Sequence, residues 1–333
     1  MQFRDSPLRV QPFRSISVPR TAGIGASGSL IGPGQWDCFP GCSILLVTAA
    51  VAGLLSNTCT LRPVRMELRD DALANFERHG AKPLPATNDQ GYVDHEGARI
   101  WYATFGAGHS VIMLHGGLGH SGNWGYQVPG LTSSGYRVVL IDSRGHGRST
   151  RDDRPLTYEL MASDVLAVMD HLQLEKAAFV GWSDGACTAL VLASNAALRS
   201  VGVFFFACKM DPSGIKDIKS SPVLRRCLTR HTTDYMQLSA TPDQFAAFAE
   251  AVRRMQRTEP NYSLRDLADV HVPVAIVQGE HDEFIKLEHA EYLARSIPGA
   301  EFMLLPGVSH FAPLQRPEKF NSAMLAFLGK LLF

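Results

Sequence analysis

The chain has 333 residues, of which 45% are hydrophobic, and its 32 lysines and arginines balance 32 aspartates and glutamates. This length is sufficient for one large domain or two ordinary ones with a sizeable buried core. The charge balance gives no reason to expect nucleic acid, an anionic membrane surface or a highly charged substrate as a partner. We therefore expect a small molecule that binds in a pocket.

The cysteines form neither a CxxC pair nor the Cys/His spacing of a zinc site, and they are sparse for a disulfide scaffold. They are Cys38, Cys42, Cys59, Cys187, Cys208 and Cys227. This usage favours free thiols in a reducing compartment and gives no indication of a metal.

Residues 1–65 differ in composition from the rest of the chain, with scattered arginines and repeated Gly, Ser and Pro. Their one apolar run, Ser43–Leu55, is shorter than the ~20 residues of a membrane span but has the length of a signal-peptide core. The long segment before it and the poor cleavage site at Cys59 speak against export. We interpret 1–65 as a disordered or signal-like leader, or as translated upstream sequence with the true start near Met66. A cytoplasmic location is favoured, while export or membrane attachment through this segment stays open; no other segment could cross a membrane.

From Gly91 onward, short apolar runs alternate with helical patterns, which predicts a mostly parallel, doubly wound α/β sheet covered by helices on both faces. The predicted strands, of which the first two form an antiparallel pair, are Tyr92–Val93, Ala98–Phe105, Val111–Leu114, Tyr136–Ile141, Ala177–Val180, Val201–Phe206, Val274–Gln278 and Glu301–Leu305. The predicted helices are Thr157–Gln173, Ala186–Asn195, Leu287–Ser296 and Pro317–Leu331.

Residues 211–269 break this alternation, because they are polar and helical and lie between two core strands. We predict that they form a small helical cap on a single domain over 66–333. Within the cap, Thr241 followed by Pro242 indicates a helix start with Thr241 as the capping residue. The cap's larger apolar side chains could line an acyl or alcohol pocket, or could simply pack a helix: Phe245, Phe248, Met255 and Tyr262.

The segment Gly181-Trp182-Ser183-Asp184-Gly185 is a GxSxG pattern placed between an apolar strand and a helix of small residues. This context is typical of a nucleophile elbow, in which a sharp strand-to-helix turn exposes the serine. Glycine is needed on both sides because a side chain there would crowd the turn. The hydroxyl of Ser183 would lie at a helix N-terminus, where developing negative charge is stabilised. The alternative is a tight turn with Ser183 as an ordinary helix cap.

A serine nucleophile needs a base, and the base needs an acid that orients it. Asp282 follows one predicted strand and His310 follows the next, so both lie where doubly wound sheets place their functional sites. The order Ser183, Asp282, His310 is the order expected for this arrangement. Other candidates remain open: Glu280, Glu283 and Asp211 for the acid, and His281 and His289 for the base.

The run His115-Gly116-Gly117-Leu118-Gly119 directly follows a buried strand, so its backbone N–H groups could point into the site. An N–H of Gly117 or Leu118, together with that of Asp184, would form an oxyanion hole. A phosphate cradle is the alternative, but no Lys-Ser/Thr pair follows. We expect His115 to brace the loop, and residues 142–149 (DSRGHGRS) to form a structural turn beneath the elbow.

Together HGGLG, DSRGHGRS, GWSDG, GEHD and GVSH, in this order over roughly residues 91–333, resemble the α/β-hydrolase fold superfamily. The GWSDG motif is similar to the elbow of valacyclovir hydrolase-like esterases, in which the residue after the nucleophile helps to bind a substrate amino group. That position is Asp184 here. Its carboxylate could therefore receive a cationic substrate group, or could favour the helix N-terminus by its charge.

These observations predict a serine hydrolase that cleaves a carboxylic ester, lactone or related acyl bond through an acyl-enzyme on Ser183, without metal or organic cofactor. A C–C bond hydrolase and a cofactor-free perhydrolase or haloperoxidase could use the same three residues. A non-catalytic ligand-binding protein on the same fold is the third possibility. The sequence gives no indication of the oligomeric state.

Overall fold

Eight strands and their flanking helices make up residues 71–333, which are the residues that the computed structural model describes. The leader predicted for 1–65 lies outside the described residues. The strands are β1 Asp89–His95, β2 Ala98–Phe105, β3 His109–Leu114, β4 Tyr136–Ile141, β5 Ala177–Trp182, β6 Ser200–Phe206, β7 Val274–Gly279 and β8 Glu301–Leu305. The helices are α1 Asp71–His79, α2 Val128–Ser133, α3 Tyr158–His171, α4 Asp184–Asn195, α5 Pro222–Leu238, α6 Phe245–Thr258, α7 Leu264–Ala268, α8 Leu287–Ser296, α9 Ala312–Gln315 and α10 Pro317–Leu328.

The strands form one sheet in the order β1-β2-β4-β3-β5-β6-β7-β8. β1 pairs with β2, and β2 with β4, in antiparallel fashion, whereas the strands from β4 to β8 are parallel. The predicted α/β class with a leading antiparallel pair is therefore confirmed. The short helices α2 and α9 were not predicted, and the last helix ends at Leu328 rather than Leu331.

Alternate side chains of each buried strand enter separate cores on the two faces of the sheet. Val111 and Met113 of β3 belong to one apolar cluster, and Ile112 and Leu114 belong to the other. All four are buried. This two-sided burial explains why the strand reads as a continuous apolar run, since both faces are covered by helices. The covered sheet holds the loops at its carboxyl edge in place.

Helices α5, α6 and α7 lie between β6 and β7 in the chain, within the stretch predicted to form a cap. Phe248 and Met255 are buried in the main core cluster, and Phe245 and Tyr262 pack against it. These four side chains therefore contribute to the packing of the hydrophobic core. Thr241 precedes a short helical turn that begins at Pro242, as predicted, but its side chain makes no cap hydrogen bond: its hydroxyl lies 3.2 Å from the Tyr235 hydroxyl.

The prediction of free thiols is wrong for Cys187 and Cys208, which form a disulfide with their Cα atoms 6.4 Å apart. Cys187 lies in the first turn of α4, and Cys208 follows β6. Because β6 pairs with β5, the residues after β6 are brought beside the helix that follows β5. A spacing of 21 residues carries no sign of this proximity. Cys227 is a buried free thiol.

Within residues 71–333, none of the helices combines the length and the apolar character that crossing a membrane would require.

Helix α4 approaches β3 so closely that a Cβ on Gly185 would overlap the carbonyl oxygen of Leu114. We expect Gly185→Ala to lower the free energy of unfolding by about 1–3 kcal/mol, because backbone atoms cannot move aside easily. Gly130→Ala is the control, since a Cβ there meets only the Asn321 amide, at 3.8 Å. Urea denaturation should show Gly130→Ala as stable as the parent; equal stability of both variants would contradict the close approach.

Candidate active site

Ser183 alone forms the turn between β5 and α4, because the strand ends at Trp182 and the helix begins at Asp184. Its backbone has φ 54° and ψ −124°, a conformation that costs a non-glycine residue about 1–3 kcal/mol. The turn is held by the Ser183 N–H, which donates to the Phe206 carbonyl at 2.9 Å. A Cβ on Gly181 would overlap the backbone of Ala186. The local geometry therefore matches the predicted elbow.

Asp282 and His310 come together at the carboxyl edge of the sheet, in the loops after β7 and β8. Nδ1 of His310 lies 2.8 Å from Oδ2 of Asp282. The other carboxylate oxygen accepts the N–H groups of Phe284 and Ile285, each at 2.8 Å. A carboxylate fixed in this way requires the proton on Nδ1, which leaves Nε2 as the basic nitrogen.

His310 is also tied to the elbow, because its carbonyl accepts the indole N–H of Trp182 at 2.9 Å. Burial by itself would lower the pKa of His310, but the nearby carboxylates, of which Asp282 has the largest effect, together raise the pKa above its ordinary value. The ring of Phe284 packs against the imidazole with 4.6 Å between centroids. The imidazole is thus fixed in place and is more basic than a free histidine.

The other predicted acids contact different groups. Asp211 accepts an N–H of its own loop at 2.9 Å. Glu280 accepts the N–H of Gly307 at 2.7 Å, and Glu283 accepts the main-chain N–H of His310 at 3.0 Å. Among the acids predicted for this role, Asp282 is the one whose carboxylate bonds to the imidazole.

The two alternative bases also lie in other environments. His281 is exposed, with Nε2 3.7 Å from Glu280. Nε2 of His289 accepts the N–H of Met210 at 3.2 Å, so that nitrogen is already occupied. Among residues 71–333, the Asp282 carboxylate is bonded to Phe284, Ile285 and His310, and to neither of these two imidazoles.

The glycine-rich loop after β3 lies directly against the elbow, since a Cβ on Gly116 would approach the Ser183 Cβ to 3.2 Å. Leu118 has φ 62°, a conformation unusual for leucine. Within residues 71–333, no acceptor bonds to the backbone N–H groups of Gly117, Leu118 or Asp184. Three donors at the predicted oxyanion position are therefore unpaired.

The sequence places this architecture in a family. The sequence model of the alpha/beta hydrolase family matches residues 111–323, which is more than half of the chain. The chain belongs to this family.

This α/β hydrolase is similar to several characterised proteins. The serine hydrolase BPHL of Mus musculus is 28% identical over 70% of this chain and 84% of its own length. The 2-hydroxy-6-oxononadienedioate/2-hydroxy-6-oxononatrienedioate hydrolase of Paraburkholderia phymatum is 28% identical over 70% of this chain and 91% of its own. The structure of Est816, described as an N-acyl homoserine lactone degrading enzyme, has a TM-score of 0.58 and 26% identity, covering 71% of this chain and all of Est816.

His115 of this hydrolase braces the glycine-rich loop. Its Nε2 accepts the N–H of Ser143 at 3.0 Å, so Nδ1 carries the proton and donates to the Gly116 carbonyl at 2.8 Å. Burial lowers the pKa of His115 to about 4, so the ring is neutral near pH 7. The contacts agree with the bracing role expected from the sequence.

Asp184 is buried at the start of α4, and both of its carboxylate oxygens accept hydrogen bonds. The Tyr158 hydroxyl donates to one at 2.9 Å, and the Gln256 amide of α6 donates to the other at 2.8 Å. Burial raises the pKa of Asp184, and these two donors partly offset the effect. The carboxylate therefore links the elbow to α6. Neither Tyr158 nor Gln256 carries a motif that would have identified it in the sequence.

Lys209 is a second buried charge in this region that the sequence did not indicate. It follows β6, and its ammonium group donates to the carbonyl of Glu259. Burial lowers the pKa of Lys209 to about 8, although the charge of Asp184 opposes the change. A lysine with this pKa is only partly protonated at mildly alkaline pH, so the charge near Asp184 depends on pH.

A cleft of about 450 Å³ separates the loop before α3 from helix α6. It is lined by Arg151, Asp153, Arg154, Pro155, Leu156, Glu250, Ala251, Arg254, Met255, Thr258 and Glu259. The lining does not include Ser183 or His310. The cleft is linked to the candidate site through Glu259, which lines the cleft and accepts the N–H of Tyr158 at 3.2 Å.

No three histidine, cysteine, aspartate or glutamate side chains in the described part of the chain are grouped so that they could hold a metal ion.

Asp142 fixes the far side of the glycine-rich loop, and its carboxylate is fully buried. One oxygen accepts the Ser121 N–H at 2.7 Å, and the other accepts the Arg148 N–H at 2.9 Å. We expect Asp142→Asn to lower the free energy of unfolding by about 1–3 kcal/mol, because the amide NH₂ would face an N–H donor. Urea denaturation at pH 7 measures this, with the partly exposed Asp152→Asn as control. If Asp142→Asn lowered the free energy of unfolding by less than Asp152→Asn does, the expectation would be contradicted.

Proposed function

We propose that this α/β hydrolase is a serine hydrolase that cleaves carboxylic esters or lactones, with Ser183 as nucleophile, His310 as base and Asp282 as the residue that orients the base. The observation that carries the proposal is the Asp282–His310 hydrogen bond at 2.8 Å, on a histidine whose main chain is bonded to the elbow residue Trp182. A partly exposed serine with positive φ between a strand and a helix is typical of a nucleophile elbow.

In the proposed reaction, Nε2 of His310 takes the hydroxyl proton of Ser183 while the oxygen attacks the acyl carbonyl. The tetrahedral intermediate then expels the alkoxide, which receives the proton from His310, and an acyl-enzyme remains. Water attacks this ester with the same histidine as base, releasing the acid and restoring the hydroxyl. These steps require no metal or organic cofactor.

The unpaired N–H groups of Gly117, Leu118 and Asp184 are the proposed oxyanion donors. Two of them belong to the loop that lies against Ser183, and the third opens α4, where the helix dipole adds to the effect. Each such donor contributes about 3–4 kcal/mol to stabilising the transition state. The strained elbow and the braced loop hold these donors before the substrate arrives.

Helices α5 to α7 are proposed to act as a cap that shapes the substrate side of the site. The Gln256 side chain of α6 reaches the carboxylate of Asp184, directly after the nucleophile. A Cβ on Gly117 would approach the same amide to 2.7 Å, so α6 lies beside the proposed oxyanion loop as well. Substrate groups next to the acyl carbon would therefore meet this helix.

Replacing the proposed nucleophile tests the function directly. We expect Ser183→Ala to reduce kcat for p-nitrophenyl acetate by about 10⁶-fold and to abolish labelling by a fluorophosphonate probe, since no oxygen remains to attack. Ser194→Ala, near the far end of the same helix, should behave like the parent protein. The measurements are initial rates and the mass of the labelled protein.

Persistent labelling or turnover in Ser183→Ala would contradict the nucleophile assignment. A parent protein that takes up no probe would instead support a ligand-binding role. Hydrogen peroxide-dependent activity that exceeds ester hydrolysis would favour the perhydrolase alternative. A panel of esters, lactones and vinylogous diketones would distinguish acyl-oxygen from C–C cleavage.

Asp184 supplies a prediction about substrate charge. Because Tyr158 and Gln256 already bind both of its oxygens, we propose that it does not serve as the receptor for a substrate ammonium group. We expect Asp184→Asn to change kcat/KM by the same factor for alanine p-nitrophenyl ester and for the uncharged isobutyrate ester, to within about threefold. A loss confined to the amino ester would show that the carboxylate receives the cation.

A further inference from the structure

We propose that Glu283 is a positioning residue for His310: its carboxylate holds the histidine main chain and stabilises the protonated imidazole that forms when Ser183 attacks. This inference rests on the proposed role of His310 as the base. Glu283 would be a second carboxylate that acts on His310, in addition to Asp282, which bonds the ring.

The geometry brings consecutive acidic residues to two sides of one histidine. Asp282 bonds Nδ1 of the ring at 2.8 Å, and Glu283 accepts the main-chain N–H of His310 at 3.0 Å. The ring of Phe284, the next residue, packs on the imidazole. Three successive residues of the loop after β7 therefore fix the ring, the backbone and the face of His310.

The surroundings of Glu283 give its charge little compensation. Within residues 71–333, no lysine or arginine forms an ion pair with it, and the carboxyl group is partly buried. Burial raises the pKa of Glu283, which shows that its ionised form is disfavoured in this position. Among the charged groups that act on Glu283, His310 has the largest effect. Protonation of His310 thus lowers the cost of ionised Glu283, and ionised Glu283 in turn favours protonated His310.

Other charged or titratable groups pack nearby on each side. Asp282 and the more distant Asp184 act on His310 in the same direction as Glu283. The Cys227 thiol of α5 is neutral, because burial and the charge of Glu283 raise its pKa. The ammonium group of Lys216 donates to the main-chain carbonyl of Asp282 at 2.6 Å.

Neither the thiol nor the ammonium group bonds Glu283 itself. The charge of Glu283 matters for the proposed reaction, because His310 is positive only after it has taken the serine proton. A charge that stabilises this state more than the resting state accelerates the step.

Glu280 provides a matched control from the same loop. It also accepts a backbone N–H of the segment after β8, that of Gly307 at 2.7 Å. Its side chain is exposed, however, and it does not contact His310. If each glutamate did no more than hold the segment after β8 in place, Glu283→Gln and Glu280→Gln should have the same effect on activity.

The test is the pH dependence of kcat/KM for p-nitrophenyl acetate in the parent protein, Glu283→Gln and Glu280→Gln. Because the pKa of His310 is raised, activity of the parent should be lost as pH falls through a midpoint above the ordinary histidine value of about 6.5. In Glu283→Gln the amide oxygen still accepts the N–H but the charge is gone. We expect its midpoint to fall by about half a unit to one unit and its plateau kcat/KM to fall about tenfold.

Glu280→Gln should keep the parent's midpoint and plateau. The inference is overturned if Glu283→Gln also matches the parent in both. If Glu283→Gln fails to fold, Glu283→Asp decides instead: it keeps the charge, so the midpoint should stay within about 0.3 unit of the parent's, and a full-unit fall would overturn the inference. Fluorophosphonate labelling of Ser183 in the parent is the separate check, because its absence would contradict the proposed function rather than the role of Glu283.

Discussion

The one-residue turn at Ser183 constrains everything around it. A strand that becomes a helix within a single residue needs glycine at 181 and 185, because those Cβ positions are filled by the backbone of α4 and by the end of β3. That contact brings the glycine-rich loop after β3 against the serine. It also places the N-terminus of α4 beside the hydroxyl, where the N–H of Asp184 has no acceptor among the described residues. One strained residue therefore determines the positions of the proposed nucleophile and of its proposed oxyanion donors together.

The two buried acids near the serine illustrate how partners decide what a carboxylate can do. Asp184 is satisfied by the neutral donors Tyr158 and Gln256, so its interactions are structural and link the elbow to α6. Asp282 accepts two backbone N–H groups with one oxygen and leaves the other for His310. The charge of Asp282 is thereby directed at a ring that can gain a proton. Similar side chains at similar depth thus have different chemical roles.

The sequence was most informative where function and local geometry coincide. The elbow, the glycine-rich loop and the strand pattern are short-range features, since periodicity and glycine placement are read within a few residues. The disulfide, the Tyr158–Asp184–Gln256 contacts and the position of Glu283 depend on which elements become neighbours in the sheet. Thr241 combines both cases: it stands at the start of a helical turn, as its pattern predicts, but its hydroxyl lies beside the Tyr235 hydroxyl and does not cap the turn. Short-range sequence patterns therefore indicated the candidate site residues, whereas tertiary contacts determine which other side chains hold those residues in place.

The buried histidines show how the proposed base differs from the other enclosed imidazoles. His115, His146 and His231 are all enclosed, and burial lowers their pKa values to about 4, 3 and 4. They remain neutral through the range in which an ordinary histidine titrates. His310 is buried to a similar extent, yet its pKa is raised, because a carboxylate bonds its ring. At His115, His146 and His231 a nearby aspartate opposes the effect of burial on the pKa but does not outweigh it, so these rings act in packing and hydrogen bonding. Burial beside Asp282 instead favours proton uptake by His310, which is the property that its proposed role as base requires.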